Sequence, residues 1–332
     1  MRPMTMNNII KITTPARIHV NLFDMSNTGY RQNGGVGFCI NGLDTVIEFS
    51  PSQSLQIIDK RPIPYTVEEE SRLVSFMRQI YATGHYQRSM KITFISGPPP
   101  HSGFGTGTAT KLACVEAASI FNKIPCTQAE LISTSGRGGT SGVGINTYFK
   151  GGLNVDFGVK HAELELGPSS ARNAPRQQPI NLINVPLPAA WTIGVFVPLS
   201  ENRISGDDEV KFFKKTCPIA PDSVHGSIYQ ALSGLACAAI EEDFNTFCSA
   251  INATQNYQWK NAEWMAQSVE LRELRANLAE SGASCVGLSS LGPAIYFMAP
   301  TVQNIADRMT LPGNHIFAKC SPNNHGRVVE ID

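Results

Sequence analysis

Between Gly97 and Thr110 the chain reads Gly97-Pro-Pro-Pro-His-Ser-Gly-Phe-Gly-Thr-Gly-Thr-Ala-Thr110, and it runs directly into Lys111-Leu-Ala-Cys-Val-Glu-Ala-Ala118. A glycine-and-hydroxyl loop opening onto a helix is a cradle for polyphosphate. Glycines let the backbone come close, successive N–H groups point outward, and the helix N-terminus adds a positive partial charge. The spacing predicts a helix from about Thr108 to Phe121 that stops before Pro125. The phosphate-contacting candidates are His101, Ser102, Gly103, Gly105, Thr106, Gly107 and Thr108. The loop itself does not say whether a phosphate is handed on or leaves.

Outward from the cradle, the first half alternates β-rich runs with glycine clusters. Ala16–Phe23, Gly35–Ile40, Thr45–Phe49 and Lys91–Ile95 read as strands, and Val67–Ala82 reads as a helix with an acidic first turn at Glu68, Glu69 and Glu70. Prolines thicken between Pro175 and Pro188, and Trp191–Pro198 then reads as a buried strand. A domain boundary is expected near residue 185, giving domains 1–185 and 186–332. The second half continues with a long helical block, 225–280, of which Ala262–Ser281 is the most regular part. Gly282–Phe297 reads as strand, glycine turn, strand. A helix over Thr301–Met309 and a last strand over His315–Cys320 follow. Strands with helices packed on one face, then a second such unit, give an α+β protein of two layered domains. Trp264, Leu271, Leu274 and Leu278 recur at helical spacing, as a core or dimer-interface stripe does.

The 332 residues suffice for a full core. Lys and Arg balance Asp and Glu at 27 each, so no basic field points to nucleic acid or an anionic membrane, and any anion needs a local site. The eight cysteines are scattered with no C-x-x-C pair. Some, such as Cys237, lie in apolar helical runs, which argues against zinc and for buried thiols in a reducing compartment. No stretch approaches the roughly 18 apolar residues of a membrane span, and no apolar leader precedes the first strand. A soluble cytoplasmic protein is expected.

Three further glycine-rich segments accompany the cradle: Ser135-Gly-Arg-Gly-Gly-Thr-Ser-Gly-Val-Gly144, Gly151-Gly-Leu-Asn-Val-Asp-Phe-Gly158 followed by Pro168-Ser-Ser-Ala-Arg172, and the turn Gly287–Gly292. The cradle and the late turn resemble the superfamily named for galactokinase, homoserine, mevalonate and phosphomevalonate kinases. One branch is closer. Pro15–Asp24, Asn33–Gly37, Gly136–Gly144, Gly152–Gly158, Pro168–Ala171 and Ser289–Pro293 resemble β-ribofuranosylaminobenzene 5′-phosphate synthase and related C-nucleoside-forming C-glycoside synthases. The Gly-Arg-Gly-Gly-Thr-Ser-Gly block is the most specific element, since the kinases lack it.

That resemblance implies a ribosomal-protein-S5-like N-terminal domain, a ferredoxin-like C-terminal domain, and a homodimer. It also implies a decarboxylating C-ribosyl transfer, in a pterin or C-nucleoside pathway. Phosphoribosyl pyrophosphate loses pyrophosphate, the ring carbon of an aromatic or pyrazole acid joins C1 of the ribose, and carbon dioxide leaves. Two rivals stand beside it: an ATP-dependent small-molecule kinase, and a catalytically silent ligand binder.

The residues bear on this choice directly. Kinases of the superfamily typically place an aspartate near the central glycine segment, whereas Ser135–Gly144 holds no carboxylate and carries Arg137 instead. Arginine grips phosphate or carboxylate bidentately and is a poor base. Backbone N–H groups of the cradle, Arg137 and Mg2+ are expected to hold a departing diphosphate, with Asp24 and Asp156 as metal ligands. Arg17 and His19, two apart on one strand face, and Asp24 are expected to approach one cavity. Arg137, Asp156, His19 and Asp24 are thus the catalytic candidates. Arg17, Gly138, Gly139, Thr140, Ser141, Ser169, Ser170, Arg172, Ser289 and Ser290 join the cradle as substrate-binding candidates. His161 stands three residues beyond Gly158, unlike the family pattern, and Lys160 is the alternative there.

Overall fold

The computed structural model describes residues 9–83, 85–161, 166–168, 177–199, 203–309 and 314–332. Strands β1 (Ile10–Asp24) and β2 (Arg31–Pro51) pair antiparallel along most of their length. Their apolar side chains, among them Ile12, Ile18, Val20, Phe38, Ile40 and Ile47, are buried. Pro15 has no N–H to give the ladder and falls at a shift of register between Thr14 and Ala16; a second shift follows between His19 and Asn21. The sequence separates Gly35–Ile40 from Thr45–Phe49, but β2 is one strand. Its glycines allow close approach rather than turning the chain: a Cβ on Gly37 would lie 2.3 Å from the Ile18 carbonyl oxygen.

Strands β3 (Gln56–Asp59) and β4 (Met90–Ser96) flank helix α1 (Val67–Ala82), whose start is fixed by a capping box between Thr66 and Glu69. Helix α2 (Thr106–Phe121) begins two residues before the predicted start and is buried along nearly all its length. Then come α3 (Gln128–Thr134), a tight turn at Gly139–Ser141, and α4 (Gly142–Lys150). Strands β5 (Leu153–Asp156), β6 (Val159–Lys160) and β7 (Asn181–Val185) complete the first half, with β5 paired to β2.

Strand β8 (Ile193–Pro198) opens the second half. Helices α5 (Asp207–Thr216) and α6 (Pro221–Tyr229) follow, and a π-helical stretch, Gln230–Ala236, leads into α7 (Cys237–Ile240). The expected block is completed by α8 (Phe244–Thr254), α9 (Gln258–Met265) and α10 (Val269–Glu280). Its breaks are capped: Asp243 accepts from the Thr246 N–H and Ser268 from the Leu271 N–H. Ala262–Ser281 is therefore two helices, not one. Trp264, Leu271, Leu274 and Leu278 still share a single buried cluster with Val286 and Phe297. The predicted strand–turn–strand is β9 (Cys285–Leu288) and β10 (Ile295–Met298). After α11 (Val302–Ala306), β11 (His315–Pro322) and an unanticipated β12 (Val328–Ile331) end the chain.

The longest path through the sheet runs β12-β1-β2-β11-β8-β10-β9. β11 joins the halves, pairing with β8 over His315–Cys320 and with β2 over Ser321–Pro322. The fold is α+β, as read. All eight cysteines are free; against expectation Cys237 is exposed, because its short helix turns that side to solvent. Among the described residues no helix is long and apolar enough to cross a membrane.

Candidate active site

The cradle is pinned from two sides. From below, the Arg17 N–H donates to the Phe104 carbonyl at 3.1 Å. From the β9–β10 turn, the Ala294 N–H donates to the Ser102 carbonyl at 3.3 Å and the Ser289 hydroxyl to the Gly103 carbonyl at 2.8 Å. The two loops meet backbone to backbone. A Cβ on Gly103 (φ +100°) would stand 2.1 Å from the Ser289 oxygen, and one on Gly292 would stand 2.2 Å from the Gly103 nitrogen. The turn also holds β1: the His19 N–H donates to the Ser289 hydroxyl at 3.0 Å, and the Ser290 N–H to the His19 carbonyl at 3.2 Å. Ser289 is fully buried with its hydroxyl committed twice, so it staples the loops together rather than facing a substrate. Ser290 is half-buried at φ +56°.

Gly105 starts α2 in the left-handed conformation, with no side-chain cap and no acidic residue in the first turn. The Thr108 N–H bonds back to the Gly105 carbonyl at 3.0 Å, and the N–H groups of Thr106 and Gly107 ahead of it are left for an anion. Thr106 and Thr108 are buried there and Gly107 is exposed. The Arg17 side chain runs beneath the same point, its Nε 2.9 Å from where a Gly105 Cβ would be. Four buried polar atoms around this loop have no partner: Arg17 Nε and Nη1, His19 Nδ1 and Ser102 Oγ. Buried polar groups are nearly always satisfied, so this concentration makes the loop the candidate binding site. Burial lowers the Arg17 pKa to about 10, which still leaves it cationic at neutral pH. Burial first, then the charges of Arg17 and Lys260, hold His19 well below the ordinary histidine range, so its ring is neutral.

The arginine loop lies against the cradle. Arg137 Nε donates to the Thr108 hydroxyl at 3.1 Å, and its Nη2 donates to the Ser141 hydroxyl. Its half-buried guanidinium therefore spans the cradle helix and the Gly139–Ser141 turn. Gly138 is buried, while Gly139 and Thr140 are half-buried beside it. The loop holds no acid in sequence, but one approaches in space. Asp156 on β5 is 1% exposed and packs against Gly142, where a Cβ would meet its carboxylate at 2.5 Å. It accepts the Gly158 N–H at 2.8 Å and the Val143 N–H at the start of α4. Burial raises its pKa to about 7 despite those donors and the Arg31 charge.

Other candidates stand apart. The Asp24 carboxylate is taken up locally by the Ser26 hydroxyl (2.7 Å) and N–H (3.1 Å), and no hydrogen bond or ion pair joins it to Arg17 or His19. Asp24 and Asp156 lie on strands at opposite edges of β2, and the described residues hold no cluster of three or more His, Cys, Asp or Glu able to bind a metal. His101, exposed at φ +57°, pairs its Nε2 with Glu69 at 3.1 Å, so this cradle residue faces α1. Lys160 is exposed on β6 and His161 half-buried beyond it. Ser169, Ser170 and Arg172 lie outside the described residues. The sequence reading missed a buried pair, Lys260 and Glu263 on α9. Nothing in a helical run singles them out before the fold brings them under β1.

No family model matches the chain. Curated relatives do. β-Ribofuranosylphenol 5′-phosphate synthase of Methanothermobacter thermautotrophicus is 29% identical over 288 residues, 86% of this chain and 87% of that protein. The protein of the same name from Methanocaldococcus jannaschii is 29% identical over 332 aligned positions, covering 95% and 98% of the two chains. Among solved structures, homoserine kinase from Cytophaga hutchinsonii superposes with a TM-score of 0.64 at 14% identity, covering 99% of this chain and 100% of that one. Mevalonate diphosphate decarboxylase from Enterococcus faecalis gives 0.64 at 12%, covering 98% of each. The fold is the one this kinase and this decarboxylase share, and the chain-long sequence likeness is to the β-ribofuranosylphenol 5′-phosphate synthases.

Proposed function

We propose that this relative of the β-ribofuranosylphenol 5′-phosphate synthases is a decarboxylating C-ribosyltransferase. Phosphoribosyl pyrophosphate is the donor and an aromatic or heteroaromatic carboxylate the acceptor. The bond from C1 to the pyrophosphate oxygen breaks, its electron pair leaving with pyrophosphate. The ring carbon bearing the carboxylate bonds to C1, and the bond to the carboxylate then breaks, releasing carbon dioxide and restoring the ring. No net proton is needed. The products are pyrophosphate, carbon dioxide and a C-riboside 5′-phosphate. The relatives' name makes a hydroxybenzoate the first acceptor to try.

The observation that carries this reading is the uncapped α2 start with Arg137 and an unpartnered Arg17 against it. Two guanidinium groups and a helix dipole converge on the cradle, and such positive charge stabilises a departing diphosphate more than the less charged ester it comes from. The ribosyl group meanwhile becomes oxocarbenium-like, and a neutral His19 adds no repulsion to it. Magnesium belongs to the proposal only as the counter-ion of the diphosphate, and no step runs through it. A homodimer, which the family resemblance implies, and a cytoplasmic setting, which the unpaired thiols suit, complete the reading.

The superfamily fold also suits an ATP-dependent kinase. Against it, the carboxylate that packs beside the arginine loop, Asp156, is buried and held by two backbone donors, so it is badly placed to take a proton from a substrate hydroxyl. The test is an acceptor panel: 4-hydroxybenzoate, 4-aminobenzoate and a pyrazole dicarboxylate, each carboxyl-labelled, with phosphoribosyl pyrophosphate. Labelled carbon dioxide should appear with one acceptor, in step with a C-riboside phosphate. Retention of the label in a ribosylated product would show transfer without decarboxylation.

A further inference from the structure

Helix α9 reaches the turn that closes the cradle, and it does so with groups the reaction does not touch. Lys260, fully buried, donates from Nζ to the Leu288 carbonyl at 3.0 Å and pairs with Glu263. Glu263 in turn accepts the Trp259 indole N–H at 2.8 Å. Just past the helix, Gln267 donates from Nε2 to the Leu291 carbonyl at 3.3 Å and to the Glu263 carbonyl at 3.2 Å. Leu288 and Leu291 bracket Ser289 and Ser290, the residues bonded to Gly103 and to His19. The grip is therefore continuous from α9 to the turn to the cradle.

A fully buried ion pair is a costly way to hold a helix on a sheet. Apolar residues of similar volume commonly serve stability as well or better. What the ammonium supplies and a methyl group cannot is a directed bond to one carbonyl. We propose that Lys260 and Gln267 are positioning residues, holding the Leu288–Leu291 turn so that the cradle backbone keeps the shape that grips a diphosphate. This inference rests on the transferase reading for the identity of the anion, but not for the mechanical coupling.

Two variants separate the role from simple stability: Gln267→Leu, and Lys260→Met with Glu263→Gln, which removes both buried charges together. Hydrogen exchange of the whole protein is the first readout. The amides of Ser289, Ser290 and Ala294, which bond the turn to itself, to β1 and to the cradle, should exchange faster in both variants, while those of β2 stay as protected as in the parent. Unchanged exchange at these three amides, or faster exchange everywhere, overturns the inference. The second readout is calorimetric binding of inorganic pyrophosphate with magnesium, which should weaken roughly 5- to 10-fold, the loss of one buried hydrogen bond. Parental affinity in folded variants also overturns it. A parent protein that binds no pyrophosphate contradicts the transferase reading, and the exchange comparison then still decides the coupling.

Discussion

The cradle and the arginine loop are both rich in glycine and hydroxyls, yet they are held by opposite means. In the cradle the glycines are points of contact: Gly103 and the facing Gly292 leave no room for a methyl group, and main-chain hydrogen bonds hold the loop between β1 and the late turn. In the arginine loop a Cβ on Gly136 would meet nothing within 4 Å, and side chains do the joining, with Arg137 bridging Thr108 and Ser141. One region offers a fixed backbone surface for phosphate, the other a charged side chain set against it. Fixed dipoles need no reorganisation during reaction, and a guanidinium adds full charge.

The contrast can be broken most strongly at the glycines. Gly292→Ala should cost about 3 kcal/mol of stability, because backbone has to move. Gly136→Ala, at φ +64°, should cost only about 1–2 kcal/mol for its left-handed conformation. Urea unfolding of the two variants checks the order. Next comes Arg137→Ala, which should lower turnover about 100-fold while leaving the urea midpoint near the parental value. Unfolding of that variant would make the arginine a structural tie.

The two regions should also respond to pH in opposite directions. Asp156, beside the arginine loop, has a folded pKa of about 7 against an ordinary 3.8. The folded chain thus keeps a proton that the unfolded chain has released, and stability falls as pH rises from about 4 to about 7. Asp156→Asn should flatten that slope. His19, beneath the cradle, is shifted down, so the unfolded chain takes up a proton near pH 6.5 that the fold refuses. Its share of stability is lost as pH falls below that value. His19→Gln should remove this acid-side loss, the smallest of the effects, seen by comparing urea midpoints at pH 5 and pH 7.5.

Much of this molecule was legible before its fold. Helix α1 is announced by its acidic first turn, and β9 and β10 by a glycine turn between apolar runs. The cradle was legible because a loop and the helix it opens are adjacent in sequence. What stayed hidden depends on distant partners. The glycines of β2 look like breaks until β1 lies against them. Ser289 looks like a ligand until Gly103 and His19 claim its hydroxyl. Asp156 looks like a catalytic carboxylate until the start of α4 covers it. β12 is invisible without its pairing to β1, and the tail before it is anchored by Arg327 on Glu116 of α2.

The most direct measurement counts pyrophosphate and ADP in parallel mixtures of the protein with magnesium and the aromatic acids, one set holding phosphoribosyl pyrophosphate and the other ATP with hydroxylated acceptors. Acceptor-dependent pyrophosphate release, with no ADP formed, is the predicted result. ADP formed from ATP, with no pyrophosphate released in the first set, would contradict it and make the cradle a site for a phosphate that is transferred rather than one that leaves.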